Sequence, residues 1–188
     1  KKISPIGNKE DAINWIKEIV AEINALIFKY TEEHPESKGM GTTLVLAVLT
    51  KDFLLYGNIG DSSGFALKQG SLHKITSDHT LVNLLVKSGE LTLEEAKVHP
   101  QKNVLMKALG SVAGAEIDVF DVESNVEGIL LCSDGLTNML ESSQIEEILN
   151  ENLDLERKLQ KLIYKCNNRG GNDNISIACL LINGGIKW

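Results

Sequence analysis

Residues 42–76 constrain the fold more than any other stretch of this sequence. They hold four short runs with β-strand character, TTLVLAVLT, KDFLLYGNIG, SGFALKQG and SLHKIT. The pairs Lys51-Asp52, Gly60-Asp61 and Gln69-Gly70 separate these runs, and turn signals at such short spacing predict consecutive hairpins. Strands joined by hairpins are antiparallel, so this segment favours an antiparallel sheet over repeated βαβ units.

Helices are predicted on both sides of this segment. Apolar residues at three- and four-residue spacing predict an amphipathic helix over residues 11–30, with Asn8 or Asp11 as its N-cap. Residues 78–107 again show helical spacing, and Thr92-Leu93-Glu94-Glu95 matches a capping box. We expect this second helical piece to end at His99-Pro100.

The C-terminal half alternates between strand and helix. Residues 117–122 and 128–132 predict a strand pair, and Ser143-Gln144-Ile145-Glu146 predicts the start of a helix. Asp154 is expected to cap a further helix that ends at Gly170-Gly171, before a last strand over residues 174–182. The whole order predicts an α+β layered fold in one domain over residues 1–188.

The bulk composition excludes several classes of function. The net charge is −7 and the basic residues are scattered, which argues against nucleic-acid binding. No apolar run reaches the length of a membrane span, and no signal-peptide pattern is present. The three cysteines form no CxxC pair, so we expect buried thiols and a cytoplasmic protein that binds no membrane.

Three aspartates are predicted at strand ends, beside glycine or small polar residues. Asp134 directly follows the apolar run ILLC and Ser133, Asp61 follows the run LLYGNIG, and Asp173 precedes the strand ISI. Carboxylates that converge repel one another unless a cation lies between them, and oxygen-only ligands suit Mg²⁺ or Mn²⁺. The alternative from spacing alone is that each aspartate is an ordinary turn residue.

The order of the short motifs resembles a known family. The motifs are Gly39-Met40-Gly41-Thr42-Thr43, Gly60-Asp61-Ser62, Asp78-His79, Ala108-Leu109-Gly110, Cys132-Ser133-Asp134-Gly135-Leu136 and Gly171-Asn172-Asp173-Asn174. Together they resemble the metal-dependent serine/threonine protein phosphatases of type 2C in their compact bacterial form. The resemblance implies a sandwich of two antiparallel β-sheets flanked by helices, with a metal cluster at one end of the sheets.

The resemblance also implies roles for individual residues. Asp134 and Asp173 match ligands of a binuclear Mg²⁺ or Mn²⁺ centre, and Asp61 matches a ligand of a third, weaker ion. Asn174 and Gly135 are expected in the outer shell or the loop that holds this centre. Residues 80–107, called the flap below, match the segment beside the active site that influences substrate access and metal occupancy.

The implied function is hydrolysis of phosphoserine and phosphothreonine in proteins by a water that two divalent ions activate. The expected partners are phosphorylated proteins, together with a cognate serine/threonine kinase that takes part in the same signalling process. The protein is expected to be a monomer.

Cys132 lies beside Asp134 but lacks the Cys-x5-Arg loop of thiol phosphatases, so a structural thiol is expected there.

Two family features do not occur in this chain: the DGxxG motif with the main bridging aspartate, and the N-terminal arginine that binds substrate phosphate. Ser63 also replaces the usual arginine after the GDS motif. Because the chain starts with Lys1 rather than methionine, we expect residues upstream of it to complete the site. The alternatives are a non-catalytic pseudophosphatase that binds phosphoproteins, and an α+β interaction domain whose aspartates are turn residues.

Overall fold

The computed structural model describes residues 7–122 and 126–186. Its α-helices are α1 (Lys9–Glu33), α2 (Leu81–Lys87), α3 (Leu93–Val98), α4 (Asp134–Thr137), α5 (Ser142–Leu149) and α6 (Leu155–Asn168), with a 3₁₀ helix at Pro35–Ser37. The strands are β1 (Leu44–Leu49), β2 (Leu54–Ile59), β3 (Ser63–Lys68), β4 (Ser71–Lys74), β5 (Asp118–Val122), β6 (Val126–Cys132) and β7 (Ile177–Ile186). No helix in the described part of the chain combines the length and the apolar character that a membrane crossing needs.

The strands form two antiparallel sheets with flanking helices, which confirms the predicted α+β class. One sheet has the order β1-β2-β5, and the other has the order β4-β3-β6-β7. In the second sheet Ser63 pairs with Cys132, and Cys132 pairs in turn with Ile177. This register brings the end of β6 beside the start of both neighbouring strands.

Two of the predicted strand pairings are wrong. Strands β2 and β3 belong to different sheets, so Gly60-Asp61 is a crossover rather than a hairpin turn, and β5 and β6 are also in different sheets. Gly60 has φ +106°, and a Cβ at this position would lie 2.3 Å from Thr43 Cγ2. Turn residues indicate only that the chain changes direction locally. Which strands pair depends on the packing of apolar strand faces that are distant in sequence.

The chain divides into two compact units. The first holds the residues up to Leu44 together with Gly57–Asp61 and Ser77–Phe120. The second holds Val45–Tyr56, Ser62–Thr76 and the residues from Asp121 onward. The prediction of one domain over residues 1–188 is not decided by this division and stays a prediction.

In the first unit, helix α1 begins where the sequence predicts. The side chain of Asn8 accepts a hydrogen bond from the Asp11 N–H and caps the helix. The buried residues Ala12, Ile16, Val20 and Asn24 recur every four positions and form one face. Asn24 is the polar member of that face, and its side chain is hydrogen-bonded to the backbone of Gly110 and Val112.

The flap consists of two short helices, as predicted. Thr80 caps α2 by accepting from the Asn83 N–H, and Thr92 with Glu95 forms the expected capping box of α3. His99 is the C-cap of α3, immediately before Pro100. The sequence signals at these helix ends are therefore confirmed.

The second unit has a buried apolar cluster formed by β3, β4, β6 and helices α4–α6. Its largest members include Phe65, Leu130, Leu136 and Leu162. Helix α6 has the predicted cap at Asp154. The start of α5 differs from the prediction: Glu141 is the N-cap, with Gln144 completing the capping box.

The predicted cap at Ser143 fails because Glu146 has another partner. Its carboxylate accepts a hydrogen bond from the backbone N–H of Leu72 in β4 at 2.7 Å. A long-range contact thus replaces the local one that the sequence pattern suggests. The last strand also begins later than predicted, at Ile177 rather than residue 174.

Candidate metal centre

The candidate centre forms where β6 ends. Strand β6 is buried along most of its length and ends at Cys132, and Asp134 is the first residue of the one-turn helix α4. The Ser133 N–H donates to the Ser176 carbonyl at 3.0 Å, which extends the β6–β7 pairing by one step. The backbone of Asp134 is therefore fixed by the sheet that precedes it.

The loop before β7 is bound to this turn by side-chain contacts. The Ser133 hydroxyl donates to the Asn174 carbonyl at 3.2 Å and accepts from the Ser176 N–H at 3.0 Å. Gly135 is buried, and a Cβ there would lie 2.3 Å from the Asn174 carbonyl oxygen. Only glycine permits this close approach of the two backbones. Gly135 and Asn174 therefore lie at the contact between α4 and the loop before β7, and their role around a metal centre stays a prediction.

Asp134 and Asp173 lie near each other across this contact. Partial burial raises the pKa of Asp134, and the negative charge of Asp173 raises that pKa further. Hydrogen bonds from the Gly135 N–H and the Asn138 amide act in the opposite direction without cancelling the rise. The sequence predicts both aspartates at strand ends, and it is the pairing of β6 with β7 that brings them together.

The side chain of Asn138 is a site residue that sequence reasoning missed. Its Nδ2 donates to Asp134 Oδ2 at 3.0 Å. The sequence does contain a signal for this contact, because Asn138 follows Asp134 by four residues and a helical turn places such residues side by side. On the other side, the Asn174 N–H donates to Asp173 Oδ1 at 2.7 Å.

No basic side chain in the described part of the chain forms an ion pair with Asp134 or Asp173. The nearest arginine in sequence, Arg169, is the C-cap of α6 and donates to the Met139 carbonyl and to Gln144 Oε1, both at 2.7 Å. Two neighbouring carboxylates without a protein cation are an arrangement that a divalent cation relieves. Their oxygen-only donor set fits Mg²⁺ or Mn²⁺.

Asp61, the third predicted ligand, belongs to the first unit. It is half-buried, directly after Gly60 at the end of β2, and it has hydrogen-bond or electrostatic partners of its own. Within residues 7–122 and 126–186, no three His, Cys, Asp or Glu side chains form a group that could hold a metal ion. The structure thus brings Asp134 and Asp173 together, and the role of Asp61 stays a prediction.

The cysteines have the character of structural thiols. Cys132 and Cys166 are buried in the apolar cluster of the second unit. Burial raises the pKa of Cys179 to about 11, against the opposing effect of the Lys158 charge. A thiol with such a pKa is protonated at neutral pH and is a poor nucleophile.

Comparison with known proteins places these features in a wider group. A profile of the family described as Protein phosphatase 2C matches residues 4–176, which include all three aspartates. The serine/threonine phosphatase stp of Listeria welshimeri is 39% identical over 178 residues, covering 94% of this chain and 71% of that protein.

Two solved structures are similar to this fold. The crystal structure of the serine/threonine phosphatase Stp1 from Staphylococcus aureus has a TM-score of 0.90 at 30% identity and covers 97% of this chain and 72% of that one. The catalytic domain of the serine/threonine protein phosphatase PstP, in complex with 2 manganese ions, has a TM-score of 0.70 at 32% identity. That match covers 83% of this chain and 65% of the PstP domain.

Proposed function

Because this chain belongs to the protein phosphatase 2C family, we infer that it is an enzyme that removes phosphoryl groups from serine and threonine residues of proteins. The observation that carries this function is the pair Asp134 and Asp173, which lie together without a cationic partner among the described residues, in a chain whose named relatives are such phosphatases. A non-catalytic member of the fold is not favoured, since the named relatives are phosphatases.

We propose that Asp134 and Asp173 hold divalent cations, with Asp61 as a ligand of a further, weaker one. Mn²⁺ is the first candidate, because a structural relative binds 2 manganese ions, and Mg²⁺ is the second. When bound, such ions lower the pKa of a water molecule and offset the negative charge of phosphoryl oxygens.

The residues around the carboxylates orient them for this task. The Asn138 amide and the Gly135 N–H hold the Asp134 carboxylate, and the Asn174 N–H holds that of Asp173. These donors lie on α4, at its C-cap and in the loop before β7, so they restrict the orientation of the carboxylates before a cation binds. The raised pKa of Asp134 means that a proton competes with the cation for this carboxylate.

The substrates are phosphorylated proteins, and we propose that a serine/threonine kinase of the same cell supplies them. The reaction consumes one water molecule and a phosphoserine or phosphothreonine ester, and it yields the free hydroxyl and inorganic phosphate. Cytoplasmic location and a monomeric state remain proposals that accompany this one.

The test is phosphate release from a phosphothreonine peptide by the full natural polypeptide, measured across a Mn²⁺ titration. We expect saturable activation by Mn²⁺, abolition by EDTA, and a loss of at least about 100-fold in kcat/KM in Asp134→Ala. Glu147→Gln is the matched control, since Glu147 is an exposed acid on α5, and it is expected to retain wild-type activity.

Two other results would replace the proposal. Mn²⁺ and phosphopeptide binding without phosphate release would establish the non-catalytic alternative. Absence of saturable Mn²⁺ binding, with Asp134→Ala indistinguishable from wild type, would make the aspartates ordinary turn residues.

A further inference from the structure

Arg169 joins the end of helix α6 to the segment between α4 and α5. Its Nη1 donates to the Met139 carbonyl and to Gln144 Oε1, both at 2.7 Å. These acceptors lie 30 and 25 residues away in the sequence. One terminal guanidinium nitrogen carries two hydrogens, so both bonds form at once. Arg169 is therefore a long-range connection within the second unit as well as the C-cap of α6.

The first acceptor belongs to the segment that orients Asp134. Met139 directly follows Asn138, the C-cap of α4, whose side chain donates to Asp134 Oδ2. On the other side of Met139, the Leu140 N–H donates to the Leu136 carbonyl at 2.9 Å, and both leucine side chains are buried in the apolar cluster. The Met139 carbonyl therefore lies between a residue bound to Asp134 and a residue anchored in the core.

The second acceptor, Gln144 Oε1, is also held by other contacts. It accepts from the Glu141 N–H at 3.2 Å, as part of the capping box at the start of α5. The next residue, Ile145, is fully buried in the apolar cluster. The guanidinium group thus binds two oxygens whose positions are set independently of α6.

The donor side of the connection leads to Asp173 after four residues. Helix α6 ends in a turn in which the N–H groups of Gly170 and Gly171 donate back to carbonyls of the last helical turn, both at 3.2 Å. Residues 170–174 are all exposed, so apolar burial does not fix this loop. Its far end is bound to the turn before α4 through the Asn174 carbonyl. The guanidinium group supplies the corresponding attachment at the near end.

We propose that Arg169 is a positioning residue that fixes the separation of the Asp134 and Asp173 carboxylates, and that this separation favours Mg²⁺ and Mn²⁺ over Ca²⁺. The inference rests on the proposed role of the two aspartates as cation ligands. Without the guanidinium group, the loop keeps its contact at Asn174 but loses its attachment to the segment between α4 and α5. The Asp173 carboxylate then moves more freely relative to that of Asp134.

The expected consequence is weaker discrimination between cations of different size. Mg²⁺ binds oxygen ligands at about 2.0–2.1 Å in near-ideal octahedral geometry, whereas Ca²⁺ accepts about 2.3–2.6 Å and a flexible geometry. A fixed pair of carboxylates discriminates between these two demands, and a mobile pair adapts to the larger ion. Removal of Arg169 should therefore cost Mg²⁺ more affinity than Ca²⁺.

Four single variants test the connection from both sides. Arg169→Met removes the donors and keeps an unbranched side chain. Gln144→Met removes one of the two acceptors, whereas Gln144→Glu retains an oxygen at the same position. Arg157→Met is the matched control, since Arg157 is an exposed arginine on the same helix that pairs with the N-cap residue Asp154.

The measurement is Mn²⁺ binding to the full polypeptide without substrate, followed by the electron paramagnetic resonance of free Mn²⁺, with Mg²⁺ and Ca²⁺ as competitors. We expect Arg169→Met to weaken Mn²⁺ binding about tenfold and to raise the ratio of Ca²⁺ affinity to Mg²⁺ affinity. Gln144→Met should change both quantities in the same direction by a smaller factor. Gln144→Glu and Arg157→Met are expected to bind all three cations as the wild type does.

The affinity ratio separates positioning from a general loss of stability. Unfolding lowers the affinity for all three cations by a common factor and leaves their ratio unchanged. The double variant of Arg169→Met and Gln144→Met should resemble Arg169→Met alone, because the bond between the two side chains is lost only once. If Arg169→Met does not fold, Gln144→Met supplies the same test through the acceptor.

Three outcomes would overturn the proposal. These are wild-type Mn²⁺ affinity in Arg169→Met, weaker Mn²⁺ binding with an unchanged ratio of Ca²⁺ to Mg²⁺ affinity, or equal losses in Arg169→Met and Arg157→Met. Failure of the phosphatase function is seen separately, as Mn²⁺ binding by the wild type without phosphate release. In that case the binding data on the Arg169 and Gln144 variants still decide the role of Arg169.

Discussion

Asp134 is a residue whose placement opposes the stability of the fold. Its carboxylate lies half-buried beside Asp173, and both burial and that neighbouring charge raise its pKa above the ordinary value of 3.8. The folded state therefore holds the Asp134 proton more tightly than the unfolded state does. By linkage, the folded chain loses stability as the pH rises through this raised pKa.

We predict that Asp134→Asn is more stable than the wild type in EDTA at pH 7. The gain is expected to be only about 0.5 kcal/mol, because water screens a carboxylate that is half-exposed. The difference should shrink as the pH falls toward 3.8, where the wild-type carboxyl also becomes protonated. Urea unfolding at several pH values measures it, and a less stable Asp134→Asn at pH 7 would contradict this account.

Much of the site is readable from the sequence at this scale. Asp134 and Asp173 each flank an apolar strand, and strands β6 and β7 pair, so their approach follows from local pattern plus one pairing. The side-chain contacts of Asn138 and His79 are not readable in the same way. The only sequence signal for Asn138 is its spacing from Asp134. The partners of His79, Gly60 and Asp118, lie 19 and 39 residues away in the sequence.

At the scale of elements, helix α1 is attached to the turn after the flap by one buried amide. Asn24 is 1% exposed, its Oδ1 accepts from the Gly110 N–H at 2.7 Å, and its Nδ2 donates to the Val112 carbonyl at 3.0 Å. The apolar periodicity of α1 predicts that this position faces inward. It does not predict a polar residue there, because the partners lie 86 and 88 residues away.

We predict that Asn24→Ala lowers the free energy of unfolding by about 2 kcal/mol, because two backbone groups lose their partner and one of them is buried. Asn14→Ala is the matched control, since Asn14 is an exposed asparagine on the same helix. Its effect is expected to stay within about 0.5 kcal/mol. Equal effects of the two substitutions in chemical denaturation would show that the Asn24 bonds contribute no net stability.

The close packing of α4 against the loop before β7 gives a second prediction. A methyl group at Gly135 would lie 2.3 Å from the Asn174 carbonyl oxygen, so the loop that carries Asp173 must move. We predict that Gly135→Ala costs about 2 kcal/mol of stability and also weakens Mn²⁺ binding by about tenfold or more. Calorimetric titration with Mn²⁺ and urea unfolding measure the two effects separately.

Gly89→Ala is the control for Gly135→Ala. Gly89 lies in the flap with φ +81°, and no neighbouring atom lies within 4 Å of the place that an alanine methyl group would take, so alanine there adds backbone strain without a steric clash. We expect a stability loss of about 1 kcal/mol with unchanged affinity for the sites at Asp134 and Asp173. Loss of Mn²⁺ binding in both variants would mean that general destabilisation, not the loop, controls binding.

For the whole molecule, the sequence predicts the fold class but not the division of strands between sheets. The runs over residues 42–76 predict four strands in the right places, and all four form. Their partners are decided by which apolar faces pack together, so the crossover at Gly60-Asp61 looks like a hairpin turn in the sequence. The family resemblance supplied what local pattern could not, namely the two-sheet fold with flanking helices, which the structural relatives confirm.

The net charge of −7 and the neighbouring Asp134 and Asp173 carboxylates lead to a prediction for the entire protein. A cation that binds the folded chain and not the unfolded one stabilises it by about 2.7 kcal/mol at roughly 100 times its Kd. For a chain of this size, each kcal/mol corresponds to about 2–4 °C in Tm. We therefore predict that saturating Mn²⁺ raises the Tm of the full polypeptide by about 5–10 °C over the EDTA-treated protein.

The Glu147→Gln variant should show the same rise in Tm, whereas Asp134→Ala should lose most of it. A rise of equal size in Asp134→Ala would locate the stabilising cation elsewhere and remove the physical basis for the metal centre at the end of β6.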